Sequence, residues 1–214
     1  IHEGPLAVIT DRSDEQNARN DPLRNAFAAR SYGPNMNAMV EAMRRVGFKI
    51  GMTVLDVGGG DGGSLVPFMQ VGCAADDLTC FDANPKAGEK IARRFPGVHF
   101  VRGDATSLPF PDGHFDIVTS SGVFHEAEVD PAKVRAITAE MRRVCRGYLL
   151  INDWSWRIPV IQKDRAKITR AWCRQMFGAP VLFSLSGQDH ALARLFPVPF
   201  VWKTVGRRVH AMKA

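Results

Sequence analysis

The sequence predicts a doubly wound α/β domain: a mostly parallel sheet with helices on both faces and an antiparallel end. Three observations carry that expectation. Short β-branched apolar runs alternate with amphipathic stretches from residue 53 to residue 151, the pattern of strand–helix–strand units joined by crossovers. Two Asx-Pro pairs, Asn84-Pro85 and Asp130-Pro131, stand where helices should open. There the Asx side chain caps orphan amides, and proline at the first helical position gives up no hydrogen bond. Finally, the last residues carry two β-like runs with so short a connection that they can pair only antiparallel.

The elements follow in order. The first 30 residues are polar and broken, as in Thr10-Asp11-Arg12-Ser13-Asp14-Glu15-Gln16-Asn17. Met36, Met39, Val40, Met43 and Val46 then recur at helical spacing up to Gly47, a C-cap. Thr53-Val54-Leu55-Asp56-Val57 reads as a buried strand feeding a tight glycine turn, and Leu78-Thr79-Cys80-Phe81-Asp82 as a second strand. Behind Asn84-Pro85, Ala87, Ile91 and Phe95 mark a helix face. Val98-His99-Phe100-Val101 and Phe115-Asp116-Ile117-Val118-Thr119 are strands three and four. Asp130-Pro131 opens a helix with Val134, Ile137, Met141 and Val144 on one face, and Tyr148-Leu149-Leu150-Ile151 is strand five. A helix around 164–176, a Pro-rich stretch and the paired runs Phe200-Val201-Trp202-Lys203-Thr204 and Arg208-Val209-His210-Ala211-Met212 complete the chain.

Composition narrows the class. A chain of 214 residues, 45% hydrophobic and 23% charged, suits one globular domain with a full core and no staples. No window reaches the roughly 20 unbroken apolar residues of a membrane span. The first residues, Ile1-His2-Glu3-Gly4-Pro5, do not form a signal peptide, although the chain does not open on Met and a trimmed leader stays open. Cys73, Cys80, Cys145 and Cys173 form no CxxC pair, so buried thiols in a reducing cytoplasm are expected in place of a disulfide or zinc framework. The formal charge of +6 raises nucleic acid as a partner. The arginines, however, come in short groups (Arg44-Arg45, Arg93-Arg94, Arg142-Arg143 with Arg146, Arg207-Arg208). Solvated helix ends, where cations favour the dipole, are preferred over an RNA-binding stripe.

The informative segment is Asp56-Val57-Gly58-Gly59-Gly60-Asp61-Gly62-Gly63. Glycines after a strand let the backbone approach a ligand, and in open α/β sheets ligands sit beyond the strands' carboxyl ends. Gly58, Gly60 and Gly63 satisfy G-x-G-x-x-G, with Asp82 following 24 residues after Gly58, which taken alone is a dinucleotide signal. Asp56 and Asp61 speak against a pyrophosphate, which they would repel, and for a ligand bearing an ammonium. Asp104 adds a third acidic position after strand three. A carboxylate accepts a bidentate pair of hydroxyls, so Asp82 would take a ribose, Asp104 an adenine amine, and Asp56 or Asp61 an ammonium. That ligand is S-adenosyl-L-methionine.

These residues resemble the class I S-adenosylmethionine-dependent methyltransferases, in particular the small-molecule branch of ubiquinone and menaquinone methylation. Asp56 to Gly62 resembles the D/E-x-G-x-G-x-G signature. Phe81-Asp82-Ala83-Asn84 resembles the acidic end of strand two, and Gly103-Asp104-Ala105-Thr106-Ser107-Leu108-Pro109-Phe110 the G-D-A-x-x-L-P-F segment. Phe115-Asp116-Ile117-Val118 with Ser120 and Ser121 resembles strand four and its exit. The likeness covers about residues 50–153. It implies a Rossmann-like sheet of seven strands with the last antiparallel, and S-adenosylhomocysteine as product. It also implies cofactor roles for Asp56, Gly58, Gly60, Asp82, Ala83, Asp104, Ala105, Ser120 and Ser121. The family's K-P-G-G turn before strand five is replaced here by Val144-Cys145-Arg146-Gly147-Tyr148.

A single domain over 1–214 is expected, with an N-terminal helical cap (1–50), a cofactor core (51–153) and an acceptor-side insertion with the antiparallel end (154–214). Methyl transfer from a sulfonium is an in-line displacement that rests largely on positioning; a base is needed when the acceptor must lose a proton. His125, beside Glu126, is a candidate base, with a satisfied loop histidine as the alternative. Asp153 at the end of strand five is a second candidate, or a turn residue. Tyr32 and Arg30 could close over the cofactor, His190 is a further polar candidate, and Asp116 reads as a surface or turn carboxylate. Trp154, Trp156, Trp172 and Phe177 either wall an apolar acceptor pocket or pack the insertion. Thr119-Ser120-Ser121-Gly122 is not the N/D-P-P-Y/F segment of base-amine methylation, no Cys follows a Pro, and no metal ligand set is present. A small-molecule acceptor is therefore preferred over RNA or protein. A non-catalytic cofactor-binding subunit and a nicotinamide oxidoreductase are the other classes, and the oligomeric state is left open.

Overall fold

The computed structural model describes residues 36–124, 130–154, 168–186 and 207–214. Seven strands form one sheet: β1 (Val54–Val57), β2 (Leu78–Asp82), β3 (His99–Arg102), β4 (Phe115–Ser121), β5 (Cys145–Trp154), β6 (Val181–Ser186) and β7 (Arg207–Lys213). Their order is β3-β2-β1-β4-β5-β7-β6. Strands β1 to β5 are parallel, while β7 runs antiparallel to both β5 and β6. The strand order reverses between β1 and β4, so their carboxyl ends mark the switch point where such sheets bind ligands.

The helices are α1 (36–45), α2 (Val66–Gln70), α3 (Pro85–Arg94), α4 (Pro131–Val144) and α5 (Arg170–Phe177). The two Asx-Pro starts work as the sequence implies: Asn84 accepts from the Lys86 amide and Asp130 from the Ala132 amide. Two apolar clusters cover the sheet. One joins α1, Leu65, Phe68 and Ile91 to Val54, Leu78, Ile117, Leu150 and Ala211. The other joins α4 and α5 to Leu55, Val57, Val118, Leu149, Ile151 and Met212. Alternation along each strand thus feeds two cores, which makes the central strands apolar on both sides.

Two expectations are corrected. The helix read over 164–176 does not run through Ile168 and Thr169. Thr169 is extended (φ −112°, ψ 170°) and its hydroxyl caps α5 by accepting from the Trp172 amide, so the helix begins at Arg170; residues 155–167 lie outside the described residues. The terminal hairpin is also different. Both edges of β7 are occupied, by β5 and by β6, so the run 208–212 has no free edge for Phe200–Thr204, which itself lies outside the described residues. The antiparallel partner is Val181–Ser186. It is a short run bounded by Pro180 and Gly187, turn residues that mark a strand's ends. All four cysteines are buried and unpaired. No helix among the described residues is long and apolar enough to cross a membrane.

The shortened turn before β5 has a physical account. Strand β5 carries an extra residue where it pairs with β4: Phe115 faces Cys145 and Ile117 faces Tyr148, so Arg146 and Gly147 together oppose Asp116. This bulge brings Gly147 onto the backbone of β4, where a Cβ would stand 2.3 Å from the Asp116 carbonyl oxygen. Backbone cannot give way as a side chain can. Gly147→Ala is expected to cost about 1–3 kcal/mol, the usual penalty of overpacking, read as a lower Tm. An unchanged Tm would mean that β5 shifts freely at this point.

Candidate cofactor site

After Val57 the chain doubles back over β2: the Gly58 and Gly59 amides donate to the Phe81 carbonyl at 2.8 and 3.2 Å. A Cβ on Gly58 would meet Val123 Cγ2 at 2.4 Å, so the turn packs directly on the exit of β4. Beneath it lies Asp56, fully buried on β1. The Ser64 hydroxyl donates to Asp56 Oδ2, and Asp56 Oδ1 has no hydrogen-bond partner. Burial pushes the Asp56 carboxyl up to about 7, against the Ser64 hydrogen bond and with help from the nearby Asp82 and Asp61 charges.

Asp82 ends β2 and joins turn to helix. Its Oδ2 accepts from the Gly60 amide and its Oδ1 from the Asn84 amide, both at 2.8 Å. Each oxygen keeps a second lone pair, and no atom lies within 4 Å of where a Cβ on Gly60 would stand. Ala83 is exposed beside it, its carbonyl accepting from Arg102 Nε at 3.4 Å. Asp61 is differently employed. Its Oδ2 pairs with Arg94 at 2.7 Å, its Oδ1 accepts from the Gly63 amide, and its carbonyl accepts from Arg94 as well. Of the two acidic groups at the turn, one is neutralised by Arg94 and the other, Asp56, is not.

Asp104 is exposed after β3, one strand further out. The Thr106 amide donates to its Oδ1 at 3.0 Å and holds its carboxyl below the ordinary value. Ala105 packs on the apolar cluster behind it. The segment is clamped from α4: Arg143 donates to the Leu108 and Phe110 carbonyls and pairs with Glu140 and Asp112, while the Leu108 amide donates to Glu140.

At the end of β4, Ser120 is buried with an unpartnered hydroxyl, and Ser121 accepts from Asn152 Nδ2 at 3.2 Å. Asp153, 1% exposed, accepts from the Phe124 amide at 2.9 Å and so fixes the chain just ahead of residue 125. Phe177 meets Phe124 and Trp172 edge to face, and Phe124 and Trp172 pack tilted against each other in the α4–α5 core, so Trp172 and Phe177 pack the core. Asp116 is more than a surface carboxylate: it accepts from Thr53 and forms a bidentate pair with Arg146 at the opposite end of the sheet, which drives its carboxyl down to about 2. Tyr32, Arg30, His125, Glu126, Trp156 and His190, and the side chain of Trp154, lie outside the described residues. The sequence reading overlooked Ser64, Arg94, the Arg143 clamp and Asn152. Asn152 alone carried a signal, as a polar residue ending an apolar strand. Among the described residues no cluster of His, Cys, Asp or Glu could hold a metal ion.

A doubly wound sheet whose glycine turn is tied to the strand-two carboxylate at the switch point, with an acidic residue after the neighbouring strand, is the arrangement of a nucleotide-type cofactor-binding domain. Residues 54–147 match the family model of a methyltransferase domain. The chain is similar to a demethylmenaquinone methyltransferase of Renibacterium salmoninarum, 37% identical over 112 residues, which is 51% of this chain and 44% of that protein. It is likewise similar to a ubiquinone/menaquinone biosynthesis C-methyltransferase of Shewanella piezotolerans, 36% identical over 118 residues, 51% and 45% of the two chains. The chain thus spans a little under half the length of these curated relatives. In fold it is similar to the magnesium protoporphyrin IX methyltransferase of Synechocystis solved with S-adenosylhomocysteine, with TM-score 0.64 and 15% identity over 89% of this chain and 87% of that one. Residues 54–147 thus match a methyltransferase domain, and the chain shares the fold of S-adenosylmethionine-dependent methyltransferases.

Proposed function

We propose that this chain binds S-adenosylmethionine at the glycine turn and transfers its methyl group to a small-molecule acceptor. The carrying observation is the Asp82 carboxylate, pinned by the Gly60 and Asn84 amides, each oxygen keeping a second lone pair, beside a Gly60 whose Cβ position is open. Asp82 accepts the ribose hydroxyls there and Asp104, beside Ala105, accepts from the adenine amine. Asp56, uncompensated beneath the turn, is the partner for the ammonium, and its orphaned Oδ1 fits that group. Asp61, held by Arg94, shapes the turn. Gly58 and Ala83 let backbone come close, Ser120 and Ser121 border the methyl side, and Tyr32 belongs to the segment that closes over it. Bound S-adenosylmethionine supplies an activated methyl on a sulfonium, with S-adenosylhomocysteine as the product.

The chain's own work is placement and proton handling. Asp153 holds the end of β4 through the Phe124 amide and so orients the segment that bears His125; His125 or Asp153 takes a proton where the acceptor must lose one. Residues 51–153 are assigned as the cofactor core, 1–50 as an N-terminal helical cap and 154–214 as the acceptor-side insertion with the antiparallel end. Similarity to quinone methyltransferases favours a small apolar, ring-bearing acceptor. The paired arginines support that choice over RNA. Arg44 and Arg45 serve Glu41, Arg143 serves Glu140 and Asp112, Arg146 serves Asp116, and Arg142 donates to the Phe177 carbonyl. Four buried thiols suit a reducing compartment, the cytoplasm.

Calorimetric titration with S-adenosylhomocysteine, with NAD in parallel, tests the reading. The expected result is binding of the former and silence from the latter; binding of neither removes the proposal. His125→Ala is expected to retain that binding while losing methyl transfer, and unchanged turnover in both His125→Ala and Asp153→Ala would remove the proton-acceptor role.

A further inference from the structure

At the carboxyl ends of the central strands the polar side chains are not scattered. Alternation places Asp56 of β1, Thr119 and Ser121 of β4 and Asn152 of β5 on one side of the sheet, the side of Val54, Ile117 and Leu150 that α1 covers. Asp56 is in register with Thr119, and Ser121 with Asn152. This row departs from the apolar pattern below it, where the same positions hold Val54, Ile117, Tyr148 and Leu150. Thr119 is accounted for, since its hydroxyl donates to the Leu150 carbonyl at 2.8 Å. Asn152 is not. It is 7% exposed, its Nδ2 donates to Ser121, its carbonyl accepts from the Gly122 amide, and its Oδ1 has no hydrogen-bond partner.

A buried carboxamide with one end unmet costs more than a Leu or Val in its place, and the bond to Ser121 satisfies only its Nδ2 end. Ser121 locks the group by one end, so the other end has a fixed direction. The position is close to the chemistry. Val123, two residues past Ser121, packs on Gly58. Asn152 lies two strands from β1, about 10 Å at ordinary strand spacing. That is too far along the row for the ammonium partner Asp56 and level with the methyl-side end of β4.

Resting on the function proposed above, we propose that the Asn152 carboxamide recognises the acceptor, accepting a hydrogen bond from a hydroxyl or N–H that the acceptor carries. The acceptor is thus an apolar ring compound with a polar hydrogen, as in a phenol or hydroquinone. Its fully etherified counterpart, unable to donate, is rejected because it would leave the Asn152 oxygen unmet, a discrimination that sites built on hydrogen bonding make well.

The test measures binding to the S-adenosylhomocysteine-loaded chain, under argon, of naphthohydroquinone and of its dimethyl ether. The wild-type complex is expected to prefer the hydroquinone by about tenfold or more. Asn152→Ala is expected to lose that preference while holding S-adenosylhomocysteine within about twofold. Asn152→Asp, which keeps an acceptor oxygen that the Ser121 hydroxyl can reach, is expected to restore it. Equal affinity of the wild type for the two probes, no binding of the hydroquinone, or a preference that survives Asn152→Ala overturns the inference. A tenfold loss of S-adenosylhomocysteine affinity in Asn152→Ala also overturns it, by assigning the group to the cofactor. Failure of the wild type to bind S-adenosylhomocysteine at all would instead strike the methyltransferase reading.

Discussion

Asp82→Ala is expected to raise the dissociation constant for S-adenosylhomocysteine by roughly 5- to 150-fold, about 1–3 kcal/mol, while leaving the sheet intact. The magnitude is that of leaving buried polar partners without an acceptor. Two effects combine. The ribose hydroxyls lose their bidentate partner, and the Gly60 and Asn84 amides lose theirs, so the turn and the start of α3 are no longer tied to the end of β2. Asp82→Asn separates the two. It keeps one accepting oxygen for one amide but cannot serve both sides, so an intermediate affinity is expected. Because Asp82 is only half-buried, the Tm of Asp82→Ala should fall little. An unchanged dissociation constant would take the ribose role away from Asp82; a collapse of Tm would show that the tie to Gly60 holds the fold and not only the site.

How much of this was legible in the residues follows from where the forces are local. The Asx-Pro starts at Asn84 and Asp130 are local: one side chain and one ring decide them, and the structure keeps both caps. The glycine turn is legible for the same reason, since strand, positive backbone angles and close approach are all written within Asp56 to Gly63. The antiparallel end was anticipated in kind but not in partner. Strand pairing at that edge is non-local: Val181–Ser186, about 20 residues before β7 in the chain, takes the edge of β7 that β5 leaves open. The start of α5 failed because helical periodicity extends past Thr169, whereas its hydroxyl stops the helix by capping it. Within the site, acidic residues could be read, but not their employment. Nothing in the turn says that Arg94, 33 residues after Asp61, neutralises one carboxylate and leaves Asp56 bare. Asn152 stayed hidden because its meaning lies in an absent partner, which only three dimensions reveal.

The uncompensated Asp56 carries the second large effect. Folded, its carboxyl sits near 7, held up first by burial; in the unfolded chain it returns to about 3.8. Between those values the native state binds a proton that the unfolded chain has released, so stability falls as pH rises from about 4 to about 7 and is level above that. About three pK units at about 1.4 kcal/mol each set an upper bound on the order of 4 kcal/mol. Asp56→Asn removes the titration and still accepts from Ser64. Its Tm is therefore expected to match the wild type near pH 4 and to exceed it at pH 8. Binding should move the other way. An ammonium favours the ionised carboxylate, so wild-type affinity for S-adenosylhomocysteine should climb from pH 6 to pH 8 and level off once Asp56 is charged. Asp56→Asn should bind weakly with no such climb. The carboxylate would then destabilise the empty fold in order to hold the cofactor, a common trade at functional sites. A variant no more stable than wild type at pH 8, or one that keeps the pH-dependent climb, would show that Asp56 is ionised at ordinary pH by a partner other than the ligand.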